Sequence, residues 1–113
     1  MKYVGVDLHK KIIVLCVVVV VAGQRQVAAR RRFGCRDMAE LAGFFGNLGP
    51  FQLAVEATAA YEWLLELVDE QADRIVLVHP RKMRIIAESR RKTDRLDAQI
   101  LAEFLRAGSM VPK

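Results

Sequence analysis

Hydrophobic residues in the first third of the chain alternate with polar ones or form uninterrupted runs, and both patterns predict β-strands. Residues 2–8 carry valines at alternate positions, and residues 12–21 form a run rich in β-branched side chains. A third strand is predicted over residues 26–33. Turns fall at residues 9–11 and 22–24, so we expect three consecutive antiparallel strands at the start of the domain.

In the middle of the chain, amphipathic helices alternate with short apolar strands. Apolar residues recur every three or four positions over residues 37–47, which predicts a helix with one buried face. A second helix is predicted after Thr58, a residue suited to the N-cap. The apolar runs at residues 51–56 and 74–79 predict strands on either side of it. Strands that alternate with helices indicate parallel crossover units.

Two further helices are predicted in the final third. Pro80 suits the first turn of one over residues 80–87, and the last begins near Thr93 or Asp94 and ends at Arg106. With the two neighbouring helices of the final third counted as one helical segment, the predicted order is β-β-β-α-β-α-β-α, a single α/β domain of 113 residues with a mixed sheet and helices on both faces. This order is the plan of the ribonuclease H-like fold, which is the expected architecture.

Composition narrows the functional classes only in part. The formal charge of +5 and the isoelectric point near 9.6 predict an anionic partner, without separating nucleic acid from an acidic membrane or protein. Cys16 and Cys35 form no CxxC pair, which argues against a zinc site or a disulfide framework and favours the cytoplasm. The longest apolar run, residues 12–22, is too short to span a membrane, and we expect no secretory signal before it.

Four acidic residues carry the candidate chemistry: Asp7, Glu56, Asp94 and Asp97. Asp7 and Glu56 each end a predicted strand, and if those strands are parallel neighbours both carboxylates emerge at one edge of the sheet. Asp94 and Asp97 are three residues apart, on one face of the predicted last helix. Carboxylates so close repel each other unless a cation lies between them, and Mg²⁺ takes oxygen ligands of this kind. Four carboxylates can hold the two metal ions of a phosphoryl-transfer site.

Each acid also has a purely structural interpretation. Asp7 can be an ordinary turn residue ahead of His9, and Asp94 can interact with the helix dipole in a first turn. Glu56 follows a buried strand, where an unpaired carboxylate is costly, so it is the hardest of the four to explain without a partner. His9 and His79 are assigned no role, because an isolated histidine is more often a hydrogen-bonded structural residue.

Basic residues form two groups. The first directly precedes the last helix and is predicted to hold a nucleic-acid backbone by sequence-independent phosphate contacts. Its members are Arg81, Lys82, Arg84, Arg90, Arg91 and Lys92. The second group lies on or beside the third strand, where charge more often protects a sheet edge than binds a ligand. Its members are Arg25, Arg30, Arg31 and Arg32.

Four stretches carry a resemblance to a known family. They are VGVDLHK at residues 4–10, VEAT at residues 55–58 with a tyrosine shortly after, HPRKMR at residues 79–84, and KTDRLDAQILAEFL at residues 92–105. With these motifs in this order and spacing, the chain resembles the N-terminal, RuvC-like domain of the DEDD transposases of bacterial insertion sequences. The resemblance covers nearly the whole chain.

The resemblance implies that Asp7, Glu56, Asp94 and Asp97 are the four catalytic, metal-binding acids of the family, with magnesium as the cofactor and manganese able to substitute. It implies DNA strand cleavage and exchange in the bacterial cytoplasm, guided by a structured RNA and performed by an assembly of several subunits. In that family a serine in a separate C-terminal domain attacks the DNA. We expect that domain to be absent from residues 1–113, through excision from a longer protein or natural truncation, and the chain alone to be inactive in full transposition.

One stretch departs from the family pattern. Residues 17–21 are all valine, where members usually carry polar residues near the hairpin turn. The run predicts either an altered strand register or an exposed apolar edge that self-associates.

The favoured function is therefore a metal-binding domain of a DNA transposase. A different class is a non-catalytic module that binds nucleic acid and oligomerises, derived from a truncated transposase. A third class, an actin-like or sugar-kinase-like ATPase, shares the strand order but needs glycines after Asp7 so that phosphate can approach. Leu8, His9 and Lys10 stand there instead, which argues against an ATPase.

Overall fold

The computed structural model describes residues 1–56, 61–78 and 97–107, which form a five-stranded sheet with helices packed against it. In chain order the elements are β1 (Lys2–Leu8), β2 (Ile12–Val21), β3 (Gln24–Gly34), α1 (Met38–Gly46), β4 (Phe51–Glu56), α2 (Glu62–Val68), β5 (Ala72–Val78) and α3 (Asp97–Ala107). The predicted α/β class is confirmed. The predicted helix over residues 80–87, the predicted start of the last helix and the Thr58 N-cap lie outside the described residues.

The sheet is mixed and has the strand order β3-β2-β1-β4-β5, with β1 at its centre. β1, β2 and β3 pair antiparallel, as the two short connections between them allow. β4 is parallel to both β1 and β5. In the chain, α1 precedes β4 and α2 precedes β5. No helix among the described ranges is both long and apolar enough to cross a membrane.

The β2–β3 hairpin turns more sharply than the sequence pattern predicted. Its turn consists of Ala22 and Gly23, with φ angles of 54° and 80°, so β3 begins at Gln24 instead of residue 26. Positive φ at both turn positions matches the right-handed twist of the paired strands. The register of the hairpin shifts between Val17 and Val18, within the valine run where an altered register was one expectation.

One face of the sheet packs against α1 and α2 through large apolar side chains. The cluster draws on every strand except the edge strand β5 for buried residues: Val4, Val6, Ile13, Leu15, Val17, Phe33, Phe51, Leu53 and Val55, with Leu41 and Phe45 from α1 and Leu64 and Val68 from α2. The Phe45 and Phe51 rings stack with centroids 5.4 Å apart. This face supplies most of the apolar burial that favours folding.

At the centre of the sheet the other face packs against α3 through small side chains, whereas Val76 and Val78 of β5 form a buried cluster with Leu101 and Leu105 of α3. Gly5, Cys16 and Ala54 from the three central strands are fully buried, and Ala98 and Ala102 of α3 are buried against this face. A Cβ atom placed on Gly5 would overlap the backbone oxygen of Ala98 and lie 2.7 Å from the Ala102 nitrogen. The absence of a side chain at residue 5 therefore sets how closely α3 approaches the sheet.

Candidate metal centre at the sheet edge

Asp7 and Glu56 lie side by side at the carboxyl edge of the sheet. β1 and β4 pair in parallel as far as Val6 opposite Val55, and the two acids are the next residue of each strand. The parallel pairing on which the sequence argument depended is therefore present. Because Val6 and Val55 point into the α1–α2 core, strand alternation puts both acids on the face that α3 covers.

A row of residues crosses the sheet at this position. Asp7 is paired with Val14 of β2, and Val14 is paired with Arg32 of β3. On the other side, Glu56 is paired with Val78 of β5. Asp7 and Glu56 thus occupy positions on the central strands of the sheet, with apolar residues paired beside them and a cationic residue on the edge strand.

Helix α3 begins at the same edge. Its residue Gln99 accepts a hydrogen bond from Arg30, which is paired with Cys16 in the row of Gly5. One turn later Glu103 lies 3.5 Å from Arg25, which is paired with Val20 near the opposite end of the hairpin.

The helix therefore runs away from the acidic edge, antiparallel to β1. Ala98 contacts the sheet at Gly5, two strand positions from Asp7. The backbone of Asp97, the first residue of α3, is consequently at the acidic edge as well. The backbone positions of three of the four predicted acids, Asp7, Glu56 and Asp97, thus lie at one end of the sheet. The fourth, Asp94, lies outside the described residues.

His9 was assigned no role from the sequence, but it contacts the candidate centre directly. Its Nε2 lies 2.9 Å from Asp7 Oδ2, and its side chain is 51% exposed whereas that of Asp7 is 17% exposed. A backbone hydrogen bond of 2.8 Å from His9 N–H to Ile12 O holds the turn that carries the ring. The signal in the sequence was a histidine two residues after a strand-end acid, too common a pattern to single out.

Three of the arginines on β3, Arg25, Arg30 and Arg31, contact other side chains of the protein. Arg30 and Arg25 are linked through Gln99 and Glu103, whose side chains are joined by a hydrogen bond of 2.6 Å. Arg31 instead stacks against aromatic rings, with its guanidinium 5.3 Å from the centre of the Phe33 ring and 5.4 Å from that of Phe44. These contacts fasten the edge strand to both layers of helices.

The same network borders a buried thiol. Burial raises the pKa of Cys16; the positive charge of Arg30 opposes this shift and the negative charge of Glu103 adds to it. Burial also raises the pKa of Cys35, which is only partly covered. Neither thiol is therefore activated as a nucleophile.

The carboxylate oxygens of Asp7 and Glu56 suit a hard divalent cation, with the His9 ring beside them. Within the described part of the chain, no cluster of three or more metal-ligating side chains is found. The predicted ligand Asp94 is outside that part, as are all six predicted nucleic-acid contacts, Arg81, Lys82, Arg84, Arg90, Arg91 and Lys92. The described geometry therefore contributes two acidic residues at neighbouring strand positions and the start of α3.

Fold and site together define a class: an α/β domain compatible with the ribonuclease H-like fold, with carboxylates on neighbouring parallel strands. A family model describing transposases, the DEDD type of the IS110 insertion sequences, matches residues 4–112. The chain belongs to this transposase family, which implies DNA as a partner and, for DEDD transposases in general, a divalent metal. No curated protein matches the chain.

Proposed function

We propose that the chain is the metal-binding catalytic domain of a DNA transposase that acts in strand cleavage and exchange. Asp7, Glu56, Asp94 and Asp97 are the proposed ligands of Mg²⁺, for which Mn²⁺ can substitute. The observation that carries the proposal is the adjacent position of Asp7 and Glu56 on parallel strands, at the edge where α3 starts. Oxygen donors in this arrangement fit a magnesium site.

The protein residues have distinct tasks in this proposal. The strands fix Asp7 and Glu56, and His9 orients the Asp7 carboxylate through their contact of 2.9 Å. The small residues beneath α3 hold the first turn of that helix, and with it Asp97, close to the sheet. A bound metal would stabilise negative charge on the phosphoryl oxygens during strand cleavage.

Nucleic acid is the proposed partner of the basic stretch before α3. Arg81, Lys82, Arg84, Arg90, Arg91 and Lys92 would hold a phosphate backbone near the acids by contacts that weaken with salt. The proposal includes a guide RNA and a homo-oligomeric assembly, as the family resemblance implies. It also includes a single domain over residues 1–113, which works with a nucleophilic serine from a separate C-terminal domain.

A thermal-unfolding experiment tests the metal site. We expect millimolar Mg²⁺ or Mn²⁺ to raise the midpoint temperature of the chain, because a ligand that binds only the folded state stabilises it. Glu56→Gln should abolish the increase, whereas Glu66→Gln, at an exposed position of α2, makes the same chemical change away from the site and should leave the increase intact. An unchanged midpoint in the unsubstituted chain would contradict the proposed site.

A second candidate function is a non-catalytic module that binds nucleic acid and oligomerises. The observation that favours it is the apolar end of the β2–β3 hairpin, where Val20, Val21 and Val27 are 46%, 49% and 40% exposed. Nucleic-acid binding combined with a cleavage assay separates the two functions. Binding that survives replacement of all four acids, with no cleavage by the unsubstituted chain, would favour the module.

A further inference from the structure

Two loops meet beside the acidic edge and are joined by hydrogen bonds into one surface. They are the β1–β2 turn, residues 9–11, and the β3–α1 loop, residues 35–37. Cys35 N–H donates a hydrogen bond of 2.8 Å to Lys11 O, and the Cys35 thiol donates to His9 O at 3.6 Å. The second loop is closed internally by Asp37 N–H to Gly34 O at 3.0 Å. The relative position of the two loops is thus fixed by backbone contacts.

The surface between these loops is a basic cleft of about 650 Å³. Lys10, Lys11, Gly34, Cys35 and Arg36 line it, and the three cationic side chains are exposed or partly exposed.

The one carboxylate on these two loops belongs to Asp37, whose Oδ2 accepts a hydrogen bond of 3.2 Å from Gly34 N–H. Among the residues that the structure describes, the lining therefore has three positive charges and no negative one.

We propose that this cleft binds a phosphodiester group of a nucleic-acid backbone. The Arg36 guanidinium can bind two phosphate oxygens as a planar fork, while Lys10 and Lys11 add point charges on flexible stems. Such contacts hold the backbone in position without reading sequence. A carboxylate on a partner protein could pair with one of these cations, but three exposed cationic side chains around one open cleft suit a continuous polyanion better.

The cleft lies next to the acidic edge, so its position indicates the path of a nucleic-acid strand that is bound there. Lys10 follows His9, and His9 contacts Asp7, so the cleft adjoins the acidic edge through a single turn of the chain. A strand held there extends toward the carboxylates from the β2–β3 side of the sheet. The inference rests on the proposed function and deepens it, since it assigns a substrate contact to residues other than the basic group predicted within residues 81–92.

Salt-dependent binding is the first test. The affinity of the chain for a short DNA duplex and for a single-stranded RNA is measured over a salt series, with the triple variant Lys10→Gln, Lys11→Gln, Arg36→Gln. Removing one phosphate contact should reduce the slope of log K against log salt by about 0.9 for the duplex and about 0.7 for the single strand. Arg25→Gln removes one charge at the opposite end of the β2–β3 hairpin. We expect it to change the slope by less than the value for one phosphate contact.

The two cysteines provide a second test that needs no substitution. Cys35 lies in the cleft and is partly exposed, whereas Cys16 is fully buried beneath α3. Bound nucleic acid should slow maleimide labelling of Cys35 several-fold and leave the unreactive Cys16 unchanged. Inorganic phosphate should protect Cys35 only at much higher concentration, because it offers a single group.

Three outcomes overturn the assignment: an unchanged salt slope in the folded triple variant, labelling of Cys35 that is indifferent to nucleic acid, and equal protection by polyglutamate. Circular dichroism of the triple variant confirms that it is folded. The double variant Asp7→Asn, Glu56→Gln should lose stabilisation by metal yet retain the cleft-dependent slope. Failure of the metal site and failure of the cleft are therefore distinguishable.

Discussion

The two faces of the sheet share the same five strands but pack against their helices in opposite ways. Toward α1 and α2 the strands present large aliphatic and aromatic side chains, whereas toward α3 the central strands present Gly5, Cys16 and Ala54. Large side chains bury more apolar area, and small ones let a helix backbone come closer. The comparison indicates that the first face stabilises the fold and the second positions the first turn of α3 beside Asp7.

The largest effect is expected from removing a ring on the first face. Phe45→Ala should lower the free energy of unfolding by about 3–5 kcal/mol, because the fully buried ring leaves a cavity against Phe51. Denaturant unfolding measures the change. Met38→Ala, also on α1 but 41% exposed, should cost less than about 1 kcal/mol. Equal losses in the two variants would contradict the view that this face dominates stability.

A smaller but more specific effect is expected on the second face. Gly5→Ala should cost about 1–3 kcal/mol, because the new Cβ meets the backbone of α3 rather than a movable side chain. Relative to the unsubstituted chain, the Gly5→Ala variant should show a larger increase in amide hydrogen exchange in α3 than in α1. Gly43→Ala, in α1 with open space around the new Cβ, should instead stabilise the protein by about 0.5–1 kcal/mol. An equal increase of hydrogen exchange in α1 and α3 of the Gly5→Ala variant would argue against the role of Gly5 in positioning α3.

The arginines of β3 distinguish the two faces along a single strand. Arg31→Ala should cost about 0.5–1 kcal/mol, because it removes the guanidinium that stacks on Phe33 and Phe44. Arg32→Ala, at the next position on the opposite face, should change stability by less than about 0.5 kcal/mol. Thermal unfolding at several salt concentrations measures both variants. A larger destabilisation by Arg32→Ala would reverse the assignment of the faces.

The smallest effect is confined to high pH. Burial holds the pKa of Cys16 above its ordinary value near 9, so the folded state retains the proton after the unfolded state has released it. Stability should therefore fall as the pH rises above 9, and the fall should be weaker in Cys16→Ala, with no pH-dependent difference at pH 7. Unfolding followed from pH 7 to pH 10 tests this. The same slope in both proteins would show that Cys16 does not contribute.

The strands were predictable because their signal is local. The bounds of β1, β2 and β4 match the predicted ranges, since alternating or continuous β-branched residues leave little choice of structure. The crossover pattern indicated parallel strands, but the pairing of β1 with β4 entered the sequence argument only as a condition, and the neighbouring positions of Asp7 and Glu56 depend on that pairing.

Other features were not predictable, because they depend on contacts between distant residues. The hairpin turn at Ala22 and Gly23 required a positive φ at an alanine, which sequence propensity disfavours. The approach of α3 to Gly5 and the hydrogen bonds that join Cys35 to the β1–β2 turn link residues far apart in the chain. The basic cleft was missed for this reason, since Lys10 and Lys11 read as ordinary turn residues until Arg36 lies beside them.

Paramagnetic broadening by Mn²⁺ tests the central claim most directly, because it locates the metal within the folded chain. In amide NMR spectra, substoichiometric Mn²⁺ should first broaden the signals of Asp7, Glu56 and Ala98, and spare the hairpin turn at residues 22–23. The broadening should disappear in the double variant Asp7→Asn, Glu56→Gln. Broadening centred on the exposed acids of α2 and its following turn, Glu66, Asp69 and Glu70, or its persistence in the double variant, would contradict a metal site at the acidic edge.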